Sequence, residues 1–111
     1  MMLKATRIES KHIRNAAQGE QCTLGIIGVC NGNPETTVLA HLPDESHGMS
    51  RKSDDISAVF ACHACHDCID GRAKWPHGDA GPRDWYMRRA QTRTLRRLIE
   101  LGVVTVRGVT L

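Results

Sequence analysis

The chain has 111 residues and a mass of 12.3 kDa, with 15 Lys and Arg against 12 Asp and Glu, a formal net charge of +3 and five Cys. That length suits a single domain, the 41 % hydrophobic content argues against intrinsic disorder, and no apolar run approaches the ~20 residues of a membrane span. Aromatic residues make up only 4 %, so a small core poor in large side chains needs other support, for which the five Cys are the candidates.

Residues 1–14 carry Lys4, Arg7, Glu9, Lys11 and Arg14 without the apolar stretch of a secretory leader. The expected compartment is the cytoplasm, where thiols stay reduced. Residues 10–18 (SKHIRNAAQ) predict a short helix with Ser10 as N-cap and Gly19 just past its end. Residues 22–34 read as a glycine-rich loop between Cys22 and Cys30. Thr36 to His41 reads as a strand, residues 43–54 as a polar loop, and Ile56 to Ala61 as a second strand. His63 to Asp70 predicts a short helix stopped by Gly71, and residues 73–82 a further loop.

The longest predicted helix starts near Pro82 and ends at Gly102. Met87, Ala90, Thr94, Leu98 and Leu101 fall on one face, widened by Leu95, and Arg89, Arg93, Arg96 and Arg97 on another. Residues 103–107 predict a terminal strand. Residues 83–111 hold seven Arg against Asp84 and Glu100, with no Lys, a local excess of five positive charges. Arg suits bidentate phosphate contacts, so this face is either a solvated surface or one that meets nucleic acid.

The densest chemistry lies in Cys62-His63-Ala64-Cys65-His66-Asp67-Cys68-Ile69-Asp70. Cys62 and Cys65 form C-x₂-C, a spacing that turns two thiolates toward one tetrahedral metal. Cys22 and Cys30 lie upstream on a loop able to bend back, which makes Cys22, Cys30, Cys62 and Cys65 a candidate Cys₄ zinc site. Cys68 is either a substitute ligand or a buried thiol. Two other readings compete. All five Cys can be small buried hydrophobes. Cys62 to His66 also fits the C-x-x-C-H attachment motif of c-type haem, although that chemistry follows export and leaves Cys22, Cys30 and His41 without a role.

His66 and Asp70 are four residues apart and share a helix face. Such a pair can bind a divalent cation and leave positions open for water and phosphate oxygens. His41 ends the first predicted strand. If the strands pair and the helix packs across them, His41 can face His66 as a general base; the plain alternative is a strand-end histidine with an ordinary partner.

The run from His41 to Arg72 resembles an HNH endonuclease of the ββα-metal (His-Me finger) group. The carrying residues are Ala40-His41-Leu42, then Gly48, Lys52 and Asp54, then Cys62-x-x-Cys65-His66-x-x-x-Asp70-x-Arg72. Cys22, Cys30 and Glu35 to His41 extend the resemblance to the small prophage-encoded YbcO-like group, whose relatives include a phage recombination-enhancement nuclease.

The resemblance implies a general base at His41, a catalytic Mg²⁺ or Mn²⁺ on His66 and Asp70, and structural Zn²⁺ on Cys22, Cys30, Cys62 and Cys65. This sequence departs from the pattern at two places. Ala40 stands where an acid or His often binds the metal. The central Asn that orients the base is missing; the matching region reads Lys52-Ser53-Asp54-Asp55, where Asp54 either replaces that Asn or supplies the missing metal ligand, and His47 is a further candidate.

The expected fold class is therefore α+β, a small zinc-stabilised ββα-metal domain with flanking helices. It spans residues 1–111 as one domain, with a core unit of about 36–72 and an Arg-faced helix of about 83–101. The expected function is metal-dependent hydrolysis of DNA, linked to recombination or DNA processing. DNA and phage or host recombination proteins are the expected partners, with no membrane. Lys52, Arg72, Arg89, Arg93 and Arg96 are the candidate contacts to the nucleic acid. The alternative is a non-catalytic zinc module that binds DNA or protein.

Overall fold

The structure is a computed structural model that describes residues 6–42, 53–78 and 81–111. It is α+β: helix α1 (Lys11–Ala16), strands β1 (Val38–His41) and β2 (Ala58–Ala61), and helices α2 (His63–Ile69) and α3 (Gly81–Glu100). Among the described residues, no helix is long and apolar enough to cross a membrane.

Ser10 caps α1, its extended backbone letting Oγ accept from the Ile13 N–H at 3.2 Å. Ahead of β1, Asn33 caps a single 3₁₀ turn, Pro34–Thr36, by accepting from the Glu35 N–H. That turn takes Thr36 out of the predicted strand. β1 and β2 pair antiparallel, with Val38 opposite Ala61 and His41 opposite Ala58. The second strand also starts later than predicted, because Ser57 N–H closes a turn onto Asp54 O and leaves Ile56 exposed.

All four residues of β2 are buried, so this strand is the centre of the molecule. Its alternation sorts them between two faces. Phe60 packs with Ile13 and Ala17 of the N-terminal helical segment and Leu98 of α3. Val59 and Ala61 pack with Leu24, Ile26, Cys62, Cys65 and Ile69. The edge of β2 that faces away from β1 is closed by side chains. Thr23 Oγ1 donates to Phe60 O at 2.9 Å, and Thr94 Oγ1 accepts from Phe60 N–H at 3.1 Å. With its own proton given to Phe60, Thr23 accepts from Thr94 across 2.9 Å. A buried mid-helix threonine thus joins α3 to the sheet and satisfies backbone groups that would otherwise be buried alone.

The buried row of α3 is Tyr86, Ala90, Thr94 and Leu98, with Met87 half-buried. This corrects the predicted face. Leu95 and Leu101 are exposed, because the row runs at i, i+4 from Tyr86 and turns them toward solvent. The predicted strand over 103–107 does not form either. Gly102 adopts φ 75°, its N–H bonds Ile99 O, and Val103 N–H bonds Leu98 O, which together make a Schellman stop. Val103 and Val104 then fold back on Leu98 instead of reaching a partner strand.

Candidate functional site

The loop from Cys22 to Cys30 and the start of α2 bring four sulfurs together. Ile26 O accepts from both Val29 and Cys30 N–H, with Gly28 at φ 79°, so the loop turns back on itself. Cys62 caps α2, its Sγ accepting from the Cys65 N–H at 3.4 Å, and Cys22 Sγ accepts from the Gly25 N–H at 3.5 Å. The Sγ atoms of Cys22, Cys30, Cys62 and Cys65 all lie within 4.8 Å of one another, and Cys62 to Cys30 is 3.9 Å. Zn–S bonds of ~2.3 Å in a tetrahedron place sulfurs ~3.8 Å apart, so the four thiols fit a metal such as zinc.

Among themselves, the clustered thiols share protons unevenly. The Cys65 thiol donates to Cys22 and, with backbone N–H groups around Gly25, lowers the Cys22 thiol to about 4 against the opposing effect of burial. The same bond pushes the Cys65 thiol up, and burial pushes Cys30 up. All five Cys are free thiols. Cys62 and Cys65 are wholly buried beside Cys22 and Cys30, which are half-buried. Cys68 stands outside the group. It is a buried thiol that donates to Lys74 O, raised by burial with Arg83 opposing.

The second constellation starts at His41, the last residue of β1. Its Nε2 lies 2.7 Å from Asp55 Oδ1. The carboxylate against His41 is therefore Asp55, not its neighbour Asp54, whose Oδ1 accepts from the Ile8 N–H. Asp55 is fully buried at its side chain. It also accepts from Ser10 N–H at 2.7 Å and Arg14 Nε at 3.0 Å, with Arg7 Nη2 at 3.6 Å. Burial alone raises the Asp55 carboxyl. The His41 bond, the Ser10 N–H and Arg14 together outweigh it and hold the group below its ordinary value. An ionised Asp55 accepts from His41 Nε2–H and leaves Nδ1 with a lone pair. Ala40 beside it is wholly buried in the core.

On α2, His66 Nε2 lies 3.1 Å from Asp70 Oδ2, as the i, i+4 spacing predicts. Arg72 bridges Asp70 at 3.1 Å and Asp67 at 2.9 Å, and His63 also meets Asp67. Arg72 is thus tied to the acids of α2. Lys52, His47 and Gly48 lie outside the described residues.

The Arg face of α3 is not uniform. Arg97 meets Glu20 at 2.7 Å, a counter-ion that helical periodicity within α3 did not reveal, and Arg96 meets Glu100 at 3.6 Å. Arg89 turns inward. Its Nη2 donates to Leu24 O at 3.0 Å, and its guanidinium carbon sits 4.4 Å from the Trp85 ring centre and 5.2 Å from that of Tyr86. Arg93 is exposed on the same helix.

The family described as "Putative nuclease YbcO" matches residues 11–103. The chain belongs to this family. "Putative nuclease YbcO" of Escherichia coli strain K12 is 50 % identical over 70 residues, which is 62 % of this chain and 71 % of that protein. A protein of the same name from Enterobacteria phage 82 gives the same figures. A solved structure from Escherichia coli K-12 substrain MG1655, described as a "putative bacteriophage protein", is similar with a TM-score of 0.65 at 41 % identity. That likeness covers 82 % of this chain and 100 % of the other. The YbcO-family match runs from the first residue of α1 to Val103. It contains all four clustered Cys, His41, Asp55, His66, Asp70 and the whole of α3.

Proposed function

We propose that this chain is a metal-dependent nuclease of the HNH type that hydrolyses phosphodiester bonds in DNA. The observation that carries the reading is His41 at the end of β1, held by a buried carboxylate, in a chain where β2 runs directly into a helix bearing His66 and Asp70 at one turn's spacing. The names of the phage and Escherichia coli relatives point the same way.

His41 Nδ1 takes a proton from the attacking water. The oxygen so freed bonds to phosphorus, and the bond to the departing sugar oxygen breaks. Asp55 accepts from Nε2–H throughout, which fixes the tautomer and stabilises the protonated ring. His66 and Asp70 would hold Mg²⁺ or Mn²⁺, which would stabilise charge developing on the phosphate. Such ions keep most of their waters and need few protein ligands, so a two-residue donor set suits them. Arg72, paired with Asp67 and Asp70, would release them to meet a phosphate, and Arg93 and Arg96 extend the basic surface. Lys52 completes the expected contacts to the backbone, and Asp55 takes the orienting role first expected of Asp54. Cys22, Cys30, Cys62 and Cys65 would hold Zn²⁺, which would staple the loop to α2 and fix the helix that carries His66. Residues 1–111 then act as one domain.

The second reading is a zinc-stapled DNA- or protein-binding module without catalysis. Ala40 favours it, being buried and unable to ligate a metal. Nicking of supercoiled plasmid with Mg²⁺ or Mn²⁺ separates the two. Activity that His41→Ala lowers at least ~100-fold is expected, the scale of general-base catalysis. Equal activity in both proteins, or none with either ion, rejects the enzyme.

A further inference from the structure

Trp85, on the first turns of α3, is 55 % exposed although it is one of the largest side chains in an aromatic-poor chain. It stands on the helix that carries the local excess of Arg. Its surroundings are ordered. Arg89 covers one face of the indole at 4.4 Å and is itself anchored by Leu24 O. Tyr86 meets the ring edge-on at 5.2 Å. Trp85, Arg88, Arg89, Gln91 and Thr92 lie together on one exposed face of α3 and line a shallow, open groove there. Asp84 is the acid nearest in sequence, against Arg88, Arg89 and Arg93.

We infer that Trp85 is a stacking platform for an unpaired nucleobase, with Arg88 taking the phosphate beside it. The inference rests on the nuclease reading and narrows it to substrates that carry single-stranded stretches. An indole backed on one face by a fixed guanidinium is pre-organised to offer its remaining surface. Bases stack on such a ring whatever their identity, and the positive side chains around it follow the backbone. A base paired within a duplex cannot present its face in this way, so the groove discriminates by strandedness and not by sequence.

The test is binding without added Mg²⁺ or Mn²⁺, followed by tryptophan fluorescence and by anisotropy of a labelled thymidine oligonucleotide about 15 nucleotides long. A uridine oligonucleotide in parallel separates DNA from RNA as the source of the base, and a duplex of equal length supplies the paired control. Trp85→Ala is expected to weaken single-strand binding roughly 5- to 150-fold, to change duplex binding by less than about twofold, and to melt near the wild-type temperature. Trp85→Phe, which keeps an aromatic face, is expected to recover much of the loss. The platform is overturned if wild type binds no single strand, if Trp85→Ala binds it as wild type does, or if both substrates weaken equally. Plasmid nicking reports separately: a chain that binds single strands through Trp85 yet never cuts loses only the nuclease reading, and a chain that cuts with Trp85→Ala indifferent in binding loses only the platform.

Discussion

His41 Nε2 and Asp55 Oδ1 lie 2.7 Å apart, joining the end of β1 to the turn that precedes β2. The same carboxylate accepts from Ser10 N–H and Arg14. One buried group therefore orients the candidate base and fastens the N-terminal segment to the sheet. Asp55→Asn keeps the shape and removes the charge. Its amide cannot accept at every position that the carboxylate serves, so His41 loses its tautomer control. Nicking by Asp55→Asn is expected to fall at least ~10-fold in kcat with KM little changed, since the water-activating step and not substrate binding is affected. Asp54→Asn, whose carboxylate instead meets Ile8 N–H, is expected to keep most activity. The reverse order would return the orienting role to Asp54.

The depressed pKa of Asp55 has a defined pH signature. A carboxyl that is more acidic when folded contributes stability in full above its unfolded value of ~3.9, and loses it as pH falls through the folded value. Wild type is thus expected to be more stable than Asp55→Asn at pH 7, and the gap is expected to close below about pH 4. Thermal melts of both proteins from neutral to acid pH check this. A gap that stays constant over that range would mean that the charge of Asp55 contributes nothing.

The four-thiol centre predicts metal content as well as stability. Purified protein is expected to hold about one Zn²⁺ per chain, and chelation is expected to lower the melting temperature sharply, because metal binding free energy in such sites is folding free energy. Cys22→Ser and Cys62→Ser are expected to lose the ion. Cys68→Ser is the informative control. Its sulfur bonds Lys74 O and stands outside the cluster, so the variant is expected to retain zinc and lose at most ~1–3 kcal/mol from a buried hydroxyl. Zinc loss in Cys68→Ser, with retention in Cys22→Ser, would reassign the ligand set.

Local signals carried most of this architecture. Ser10, Gly71 and Gly102 mark helix ends by chemistry that acts within a few residues. The C-x₂-C pair and the His66–Asp70 spacing are likewise fixed by helical geometry. What was not legible depends on contacts distant along the chain. The choice between Asp54 and Asp55 is settled by Arg14 and Ser10, over forty residues away. Arg97 reads as free charge until Glu20 arrives beside it. Residues 103–107 have strand propensity, but the Schellman stop points them at Leu98, where no strand edge waits. The adjacent Asp54-Asp55 pair was a signal available in the sequence, though not one that said which member turns inward.

Thr94 offers the sharpest test of the fold itself. Its hydroxyl accepts from the buried Phe60 N–H and donates to Thr23, in the middle of a helix where such a group usually has little reason to be. Thr94→Val preserves volume and leaves the Phe60 N–H without that partner. The expected cost is ~1–3 kcal/mol, the price of an unsatisfied buried donor. Thr92→Val, two residues earlier on the exposed side, removes only a hydroxyl bonded to Arg88 O within the helix, and is expected to shift stability by no more than ~0.5 kcal/mol. Urea unfolding of both variants reads the difference directly. Equal costs at the two positions would mean that the Thr23–Thr94–Phe60 link does not hold α3 to β2.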